Sequence, residues 1–174
     1  MAQCHDAVDR LGADAARARP MATAFVLALS SMVDGVTPPK AQTPLKATVR
    51  VMEKALLRYD KPGSVDRICD IVRDMVVGES TAQLADLVRA FLDEEKIVVV
   101  RLKDRFKKPS GGGWRDVMIN YKLKGDTHVC EVQICHNSLL VARKGLPGHL
   151  IYGRVRNASE LLERLGLLDE ATHL

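Results

Sequence analysis

Aromatic residues are scarce in this chain of 174 residues, which has one Trp, three Tyr and three Phe, or 4% of the total. The hydrophobic core must therefore be built mainly from aliphatic side chains. Hydrophobic residues make up 47% and charged residues 28% of the chain, a balance typical of a globular protein. At this length we expect one domain, or one domain with a helical extension, that buries about two-thirds of its unfolded surface.

Cysteines spaced as in a disulfide framework or a redox motif are absent. Cys4, Cys69, Cys130 and Cys135 contain no Cys-x-x-Cys pair, and we interpret them as reduced thiols of a cytosolic compartment. The apolar segment 21–33 is too short to span a bilayer, and the stretch before it does not resemble the start of a signal peptide. We therefore expect a cytoplasmic protein that does not associate with a membrane.

A large excess of positive charge, which is typical of nucleic-acid-binding domains, is also missing. The net charge is only +4 and the isoelectric point is about 8.9. The positive charge is concentrated in residues 101–108 and 143–156. This distribution suits a small anionic ligand at least as well as a nucleic-acid duplex.

Hydrophobic periodicity and turn residues predict the order helix, helix, strand, helix, three strands and two helices. Residues 1–34 and the segment from Leu45 have helical spacing and are separated by the proline-rich stretch 36–44. Ser80 is expected to cap the third helix, and Gly125-Asp126 predicts a hairpin between the last two strands. This order predicts an α+β fold, with a mixed sheet of four to five strands flanked by helices. We expect a helical extension over residues 1–40 and a domain over residues 41–174 that includes C-terminal helices.

The last predicted strand carries a polar pair in an apolar context. Side chains alternate along a strand, so Glu131 and Gln133 share one face. A carboxylate at this position either faces solvent or is retained for metal or proton chemistry. The same alternation places Cys130 and Cys135 on opposite faces, which argues against a zinc site formed with the neighbouring histidines.

Asp70 lies at or near the start of the first predicted strand, and Asp74 is in phase with it on the same face. Two acidic residues on neighbouring strands, Asp70 and Glu131, are what magnesium-dependent phosphoryl transfer requires. Such a site also needs cations for the nucleotide phosphates. Taken alone, each available cation could equally be a solvated surface residue, and the run of three glycines matches no known phosphate-binding fingerprint. The candidate cations are Lys46, Lys54, Lys103, Arg105, Lys107, Lys108 and Arg115.

Several short motifs occur in an order that resembles a known family. Lys103-Asp104 is followed by Pro109-Ser-Gly-Gly-Gly-Trp114, and the strand Glu131-Val-Gln-Ile134 comes next. Downstream, Ala142, Gly145, His149 and Tyr152 follow the pattern Ala-x-x-Gly-x-x-x-His-x-x-Tyr, and upstream Lys46 and Lys54 precede Asp70. From about residue 46 to residue 156 the chain resembles the RelA/SpoT-type nucleotidyltransferase domain, which makes (p)ppGpp by moving pyrophosphate from ATP to the 3′ hydroxyl of GDP or GTP.

The resemblance implies roles for individual residues. Asp70 and Glu131 would be catalytic and hold Mg²⁺, and Glu131 would also assist deprotonation of the acceptor hydroxyl. Trp114 would stack on the acceptor base. The remaining residues would bind substrate: Lys46, Arg50 and Lys54 the ATP phosphates, Lys103, Lys108 and Arg115 the acceptor phosphates, with further contacts from Arg73, Gln133 and His149.

The chain departs from the family pattern at several positions, so we interpret it as a divergent member. An arginine expected before Lys46 is replaced in the region of Thr43-Pro44. Other substitutions are Arg50 for serine, Met75 and Cys135 for arginine, Gly112 for asparagine and Met118 for histidine. The acceptor is therefore either a nucleotide of the GDP or GTP type or an RNA end. Two alternatives stay open: an inactive nucleotide- or RNA-binding module, and an interaction domain whose helices at 1–33 and 157–170 bind a partner or form a homo-oligomer.

Overall fold

The computed structural model describes residues 2–40, 43–57, 64–110 and 113–145, together with positions 158, 162, 165 and 166. Its elements follow the predicted α+β order, which is thereby confirmed up to the fourth helix. The predicted C-terminal helix falls almost entirely outside the described residues. The elements are α1 (Ala2–Ser30), α2 (Thr48–Leu57), β1 (Arg73–Gly78), α3 (Thr81–Asp93), β2 (Ile97–Asp104), β3 (Val117–Leu123), β4 (Cys130–His136) and α4 (Asn137–Gly145).

The strands form one mixed four-stranded sheet in the order β1-β4-β3-β2. Strand β1 runs parallel to β4, whereas β3 pairs antiparallel with both β4 and β2. Strand β2 forms one edge, and its register with β3 skips Val100, which is the signature of a β-bulge. Because of the skip, Arg101 and not Val100 lies opposite Asn120.

One face of the sheet packs against α1 and α3. Phe25 of α1 lies 5.8 Å from Phe91 of α3 and 5.5 Å from Tyr121 of β3, measured between ring centroids. Aliphatic side chains from both helices and all four strands surround these rings. The core is thus mainly aliphatic, as the composition predicts, and three of the few aromatic residues lie together where the layers meet.

Helix α1 belongs to this packing. Its side chains Val8, Ala15, Ala22, Val26 and Leu29 are buried in the same core cluster as the sheet. The division between an extension and a domain at residue 40 stays a prediction. No helix within the described ranges is both long and apolar enough to cross a bilayer.

Asp74 departs from the expected pattern. It was expected to share a face with Asp70, but it is only 4% exposed and accepts a hydrogen bond from Thr23 of α1 at 3.1 Å. Asp70 instead contacts one lysine in the segment before α2 and one in its last turn. The expectation is wrong because the regular strand begins only at Arg73, so the alternation of side chains does not extend back to residue 70.

The start of α3 is held by a capping box, which confirms the expected role of Ser80. The Ser80 hydroxyl accepts from the Gln83 amide nitrogen at 3.2 Å, while the Gln83 side-chain oxygen accepts from Ser80 N at 3.1 Å. The Gln83 side-chain nitrogen also donates to the Asp34 carbonyl at 2.8 Å. Gly35 has a φ of 74°, and a Cβ there would lie 2.8 Å from that nitrogen. Glycine permits both the turn after α1 and its close approach to α3.

Candidate active site

Asp70 joins the segment before β1 to the segment before α2 and to the last turn of that helix. Its Oδ2 accepts from Lys46 Nζ and from Lys54 Nζ, both at 2.6 Å. Lys54 lies on the last turn of α2, and the backbone nitrogen of Lys46 donates to the Ile71 carbonyl at 3.1 Å. The structure therefore brings together three residues that the sequence predicts to bind ATP and metal.

This cluster is largely shielded from water, since the Asp70 side chain is 13% exposed and that of Lys46 is 11% exposed. Burial alone would raise the pKa of Asp70, but the charges of Lys54 and Lys46 and their hydrogen bonds outweigh it and lower that pKa to about 2. Burial lowers the pKa of Lys46 to about 8, against the opposing effect of Asp70. Lys46 is therefore still mostly charged at neutral pH, and it loses its proton as the pH rises through about 8.

Glu131 of β4 is buried, with 6% of its surface exposed. Its Oε1 accepts from Gln133 Nε2 at 2.8 Å, and its Oε2 accepts from Asn120 Nδ2 at 3.5 Å. Burial, and then the charge of Asp70, raise its pKa. Of the two readings that the sequence leaves open, a solvent-facing carboxylate is thus excluded, and the raised pKa makes Glu131 a better proton acceptor.

Asn120 of β3 links these groups, and the sequence analysis missed it. The Asn120 side-chain oxygen accepts from Arg101 Nε at 2.9 Å and from Nη2 at 2.7 Å. Its nitrogen donates to the Cys69 carbonyl at 3.2 Å as well as to Glu131. A signal was available, because Asp116, Met118 and Asn120 alternate in phase along β3 and face the same side as Glu131.

The donor set around Asp70 fits magnesium. Asp70 Oδ1 is buried and has no hydrogen-bond partner, while the Asp70 charge acts on Glu131. Within the described ranges, no three His, Cys, Asp or Glu side chains gather closely enough to hold a metal by themselves. Magnesium is commonly held by one or two carboxylates together with water and substrate phosphates. Asp70 and Glu131 would supply those carboxylates.

The lone tryptophan takes part in a second polar cluster on the same sheet face. Trp114 Nε1 donates to Asp116 Oδ2 at 2.9 Å. Arg105 Nη1 donates to the two oxygens of Asp116 at 3.0 and 3.2 Å. Arg143 of α4 lies with its guanidinium carbon 4.5 Å from the centroid of the Trp114 ring. Neither Asp116 nor Arg143 is suggested by the sequence motifs.

Two other predicted binding residues lie on strands of the same sheet. Lys103 of β2 lies opposite Met118 of β3. Burial, followed by the charges of Arg101 and Arg105, lowers the pKa of Lys103, and smaller effects come from Glu131 and Lys54. Arg73 starts β1 directly across from Glu131.

The contacts of three further residues do not place them in a site, namely Arg50, predicted for the ATP phosphates, and Lys108 and Arg115, predicted for the acceptor phosphates. Arg50 forms an ion pair with Glu53 on α2, and Arg115 donates to the Phe106 carbonyl at 2.6 Å. Lys108 is exposed beyond the end of β2. His149 lies outside the described residues. The binding roles of these four residues stay predictions.

The mixed sheet with its helices is the fold of the RelA/SpoT-like (p)ppGpp synthetases, as the sequence resemblance predicts. Small alarmone synthetase 1 from Bacillus subtilis, solved bound to its product pppGpp, superposes with a TM-score of 0.66 at 16% identity, covering 90% of this chain and 91% of that one. Small alarmone synthetase 2 from the same organism gives a TM-score of 0.60 at 16% identity, covering 86% and 81%. A GTP pyrophosphokinase family protein from Streptococcus pneumoniae gives 0.51 at 13% identity, covering 94% and 88%.

At the level of sequence, no protein-family model matches the chain and no curated protein is significantly similar to it. The likeness is therefore one of fold.

Proposed function

We propose that the chain is a magnesium-dependent pyrophosphokinase that transfers the terminal pyrophosphoryl group of ATP to a hydroxyl of an acceptor nucleotide. One observation carries the proposal. Two lysines, Asp70 and the buried Glu131 lie together on one face of a sheet whose fold is shared with alarmone synthetases. Cations for phosphates and a carboxylate pair for magnesium are the two requirements of phosphoryl transfer.

On the ATP side, Lys46 and Lys54 bind phosphate oxygens. In the structure both ammoniums donate to Asp70 Oδ2. Phosphate oxygens compete with that carboxylate for the same donors. Release of the lysines to ATP leaves the Asp70 oxygens available to a metal ion, so nucleotide and metal binding favour one another.

In the reaction, the acceptor hydroxyl oxygen bonds to the β-phosphorus of ATP. The bond from that phosphorus to the oxygen bridging the α-phosphate breaks, so AMP leaves with the electron pair. Glu131 accepts the hydroxyl proton, and its hydrogen bonds with Gln133 and Asn120 orient the carboxylate. Magnesium, when bound by Asp70 and Glu131, supplies charge neutralisation for the phosphates.

On the acceptor side, Lys103, Lys108 and Arg115 meet the phosphates and Trp114 stacks on the base. A π-face flanked by cations is a general solution for holding a nucleotide. We propose a nucleotide of the GDP or GTP type as acceptor, in the cytoplasm, with an RNA 3′ end as the other substrate to test.

The test is transfer of label from β-³²P-ATP to GDP, GTP, other nucleotides and tRNA with magnesium present. We expect labelled product from a nucleotide acceptor, and its loss in Asp70→Asn and Glu131→Gln by about 10²-fold or more. Asp86→Asn is a matched control, because this exposed carboxylate pairs with the neighbouring Arg89 on the surface of its helix. No transfer to any acceptor, or transfer unaffected by both variants, would overturn the proposal.

A second candidate is a catalytically inactive module that binds a nucleotide or RNA. It is favoured by Arg50, which is paired with Glu53, and by Met75 and Cys135 at positions where the family resemblance implies arginines. Calorimetric binding that needs no magnesium, and that survives the double variant Asp70→Asn/Glu131→Gln without detectable turnover, would support it.

A further inference from the structure

Asp116 is a buried carboxylate for which the proposed chemistry has no use. It has 0% of its surface exposed and precedes β3. Its Oδ2 accepts from the Trp114 indole at 2.9 Å, and Arg105 donates to both of its oxygens. A buried charge is retained only when it is fully partnered, and here the partners are one cation and one aromatic N–H.

We propose that Asp116 is a positioning residue that fixes the Trp114 ring as the stacking surface for the acceptor base. The proposal rests on the proposed function for the identity of the ligand. A hydrogen bond from an indole to a carboxylate is charge-assisted, hence short and directional. It fixes the edge of the ring, and Arg105 holds the carboxylate itself against β2.

Two further contacts restrain the same ring and its backbone. The Arg143 guanidinium lies over the ring at 4.5 Å, a cation–π geometry. The Trp114 carbonyl accepts from Ser110 N at 3.1 Å, and Gly113 N donates to the Ser110 carbonyl at 3.0 Å. The ring is therefore held at its edge, at its face and through its backbone before any ligand arrives.

The bond to Asp116 also determines what Trp114 can recognise. The indole has a single hydrogen-bond donor, and Asp116 occupies it. Trp114 therefore offers no donor to the edge of a base, and the surface left for stacking is the ring face that Arg143 does not cover. Such a surface stacks on any base without reading which base it is.

Positioning of the ring matters because of where it lies. Asp116 and Asn120 are four residues apart along β3, about 13 Å at the usual rise of a strand. Asn120 lies opposite Glu131 and donates to it. A fixed ring would limit the positions open to a stacked nucleotide near Glu131, whereas a rotating ring would spread the position of the acceptor hydroxyl.

The experiment is a double-mutant cycle with Asp116→Asn, Trp114→Phe and both together, measured as KM for acceptor and for ATP. We expect each single variant to raise the acceptor KM about tenfold, with the ATP KM within about twofold of wild type. The double variant should be no worse than Trp114→Phe alone, because the indole bond is already absent. If Asp116 had only a structural role, Asp116→Asn would raise the KM for both the acceptor and ATP. The increase would then be the same with Trp or with Phe at position 114.

Fluorescence adds a reading that does not depend on turnover, since Trp114 is the sole tryptophan. We expect GDP to quench its emission in the wild type, and acrylamide to reach the ring more readily in Asp116→Asn. Should Asp116→Asn fail to fold, Trp114→Phe alone decides, because it keeps the pair of Arg105 and Asp116. A wild-type acceptor KM in Trp114→Phe would then overturn the inference.

The outcomes separate this inference from the proposed reaction. If transfer occurs but Asp116→Asn leaves the acceptor KM unchanged, the inference fails and the reaction stands. If no transfer occurs but the affinity for GDP falls in Asp116→Asn and not further in the double variant, the reaction fails and the inference stands. Absence of any nucleotide-induced change in wild-type emission would overturn the inference even with transfer present.

Discussion

At the scale of single residues, the most unusual feature is that two ammonium groups share one oxygen of Asp70. The lowered pKa of Asp70, about 2, corresponds to roughly 2 kcal/mol in favour of the folded state at neutral pH. The lowered pKa of Lys46, about 8, corresponds to about 3 kcal/mol in the opposite direction. The two effects on stability therefore have opposite signs.

The first prediction concerns pH. The pKa of Lys46 is about 8 in the folded protein, below the 10.5 of an unperturbed lysine side chain. Between these values the unfolded chain binds more protons, so a rise in pH favours folding. The unfolding free energy of wild type minus that of Lys46→Met should rise by about 2 kcal/mol from pH 7.5 to 9.5. Urea unfolding at three pH values measures it.

The comparison with Lys46→Met is needed because other groups titrate in the same range. Burial raises the pKa of Cys130 to about 12 and that of Cys135 to about 11. These thiols ionise first in the unfolded chain, so they reduce stability as the pH rises above about 8.5. Both proteins share that effect, and subtraction removes it. A flat difference between the two proteins would contradict the prediction.

The second prediction concerns base preference. Because Asp116 occupies the indole donor of Trp114, Trp114→Phe should lower kcat/KM for guanine and adenine acceptors by the same factor. We expect the ratio of the two values to stay within about twofold of wild type. Steady-state kinetics with GDP and ADP as acceptors measure the ratio. A shift of the ratio by tenfold would mean that the indole reads the base edge.

At the scale of elements, the sequence predicts the polar residues better than their partners. Alternation along β4 correctly places Glu131 and Gln133 on one face, because this needs only the strand itself. The roles of Asn120 and Asp116 depend on Arg101 and Arg105 across the β2–β3 pair. That register includes the skip at Val100, which local patterns do not determine. Residues joined by such pairing were therefore missed.

The third prediction tests the start of α3. Gln83→Ala removes the acceptor for the Glu79 and Ser80 amides and the donor to the Asp34 carbonyl. It should lower the unfolding free energy by about 1–2 kcal/mol. Gln83→Glu keeps the acceptor and adds a negative charge that favours a helix N-terminus, so its loss should be smaller. Urea unfolding compares the two variants, and equal losses would show that the acceptor oxygen does not stabilise the helix start.

At the scale of the whole molecule, long-range contacts made by three aromatic rings join α1, α3 and the sheet. Phe25, Phe91 and Tyr121 lie within about 6 Å of one another. The composition predicts an aliphatic core but cannot show that the rare rings converge, since they come from three distant segments. Their packing sets α1 and α3 on one face of the sheet, and the side chains of Asn120, Glu131 and Gln133 lie on the opposite face. The separation of core and candidate site follows from this arrangement.

The fourth prediction tests that junction. Phe25→Ala should lower the unfolding free energy by about 2–3 kcal/mol, because both ring contacts and the apolar area are lost. Met21→Ala on the same helix is the matched control, since Met21 is 63% exposed and its loss should stay within about 0.5 kcal/mol. Chemical denaturation of both variants gives the values. Similar losses would indicate that α1 is not held by its aromatic contact.

The skipped residue in β2 also affects how the sheet meets other protein molecules. β2 is an edge strand on which Val98, Val100 and Leu102 are exposed. If such an apolar edge strand were regular, its unpaired backbone groups could pair with a strand of another molecule and so promote aggregation. The extra residue breaks the even spacing of backbone donors and acceptors and increases the local twist. The irregularity that brings Arg101 opposite Asn120 therefore also protects the rim of the sheet against polymerisation.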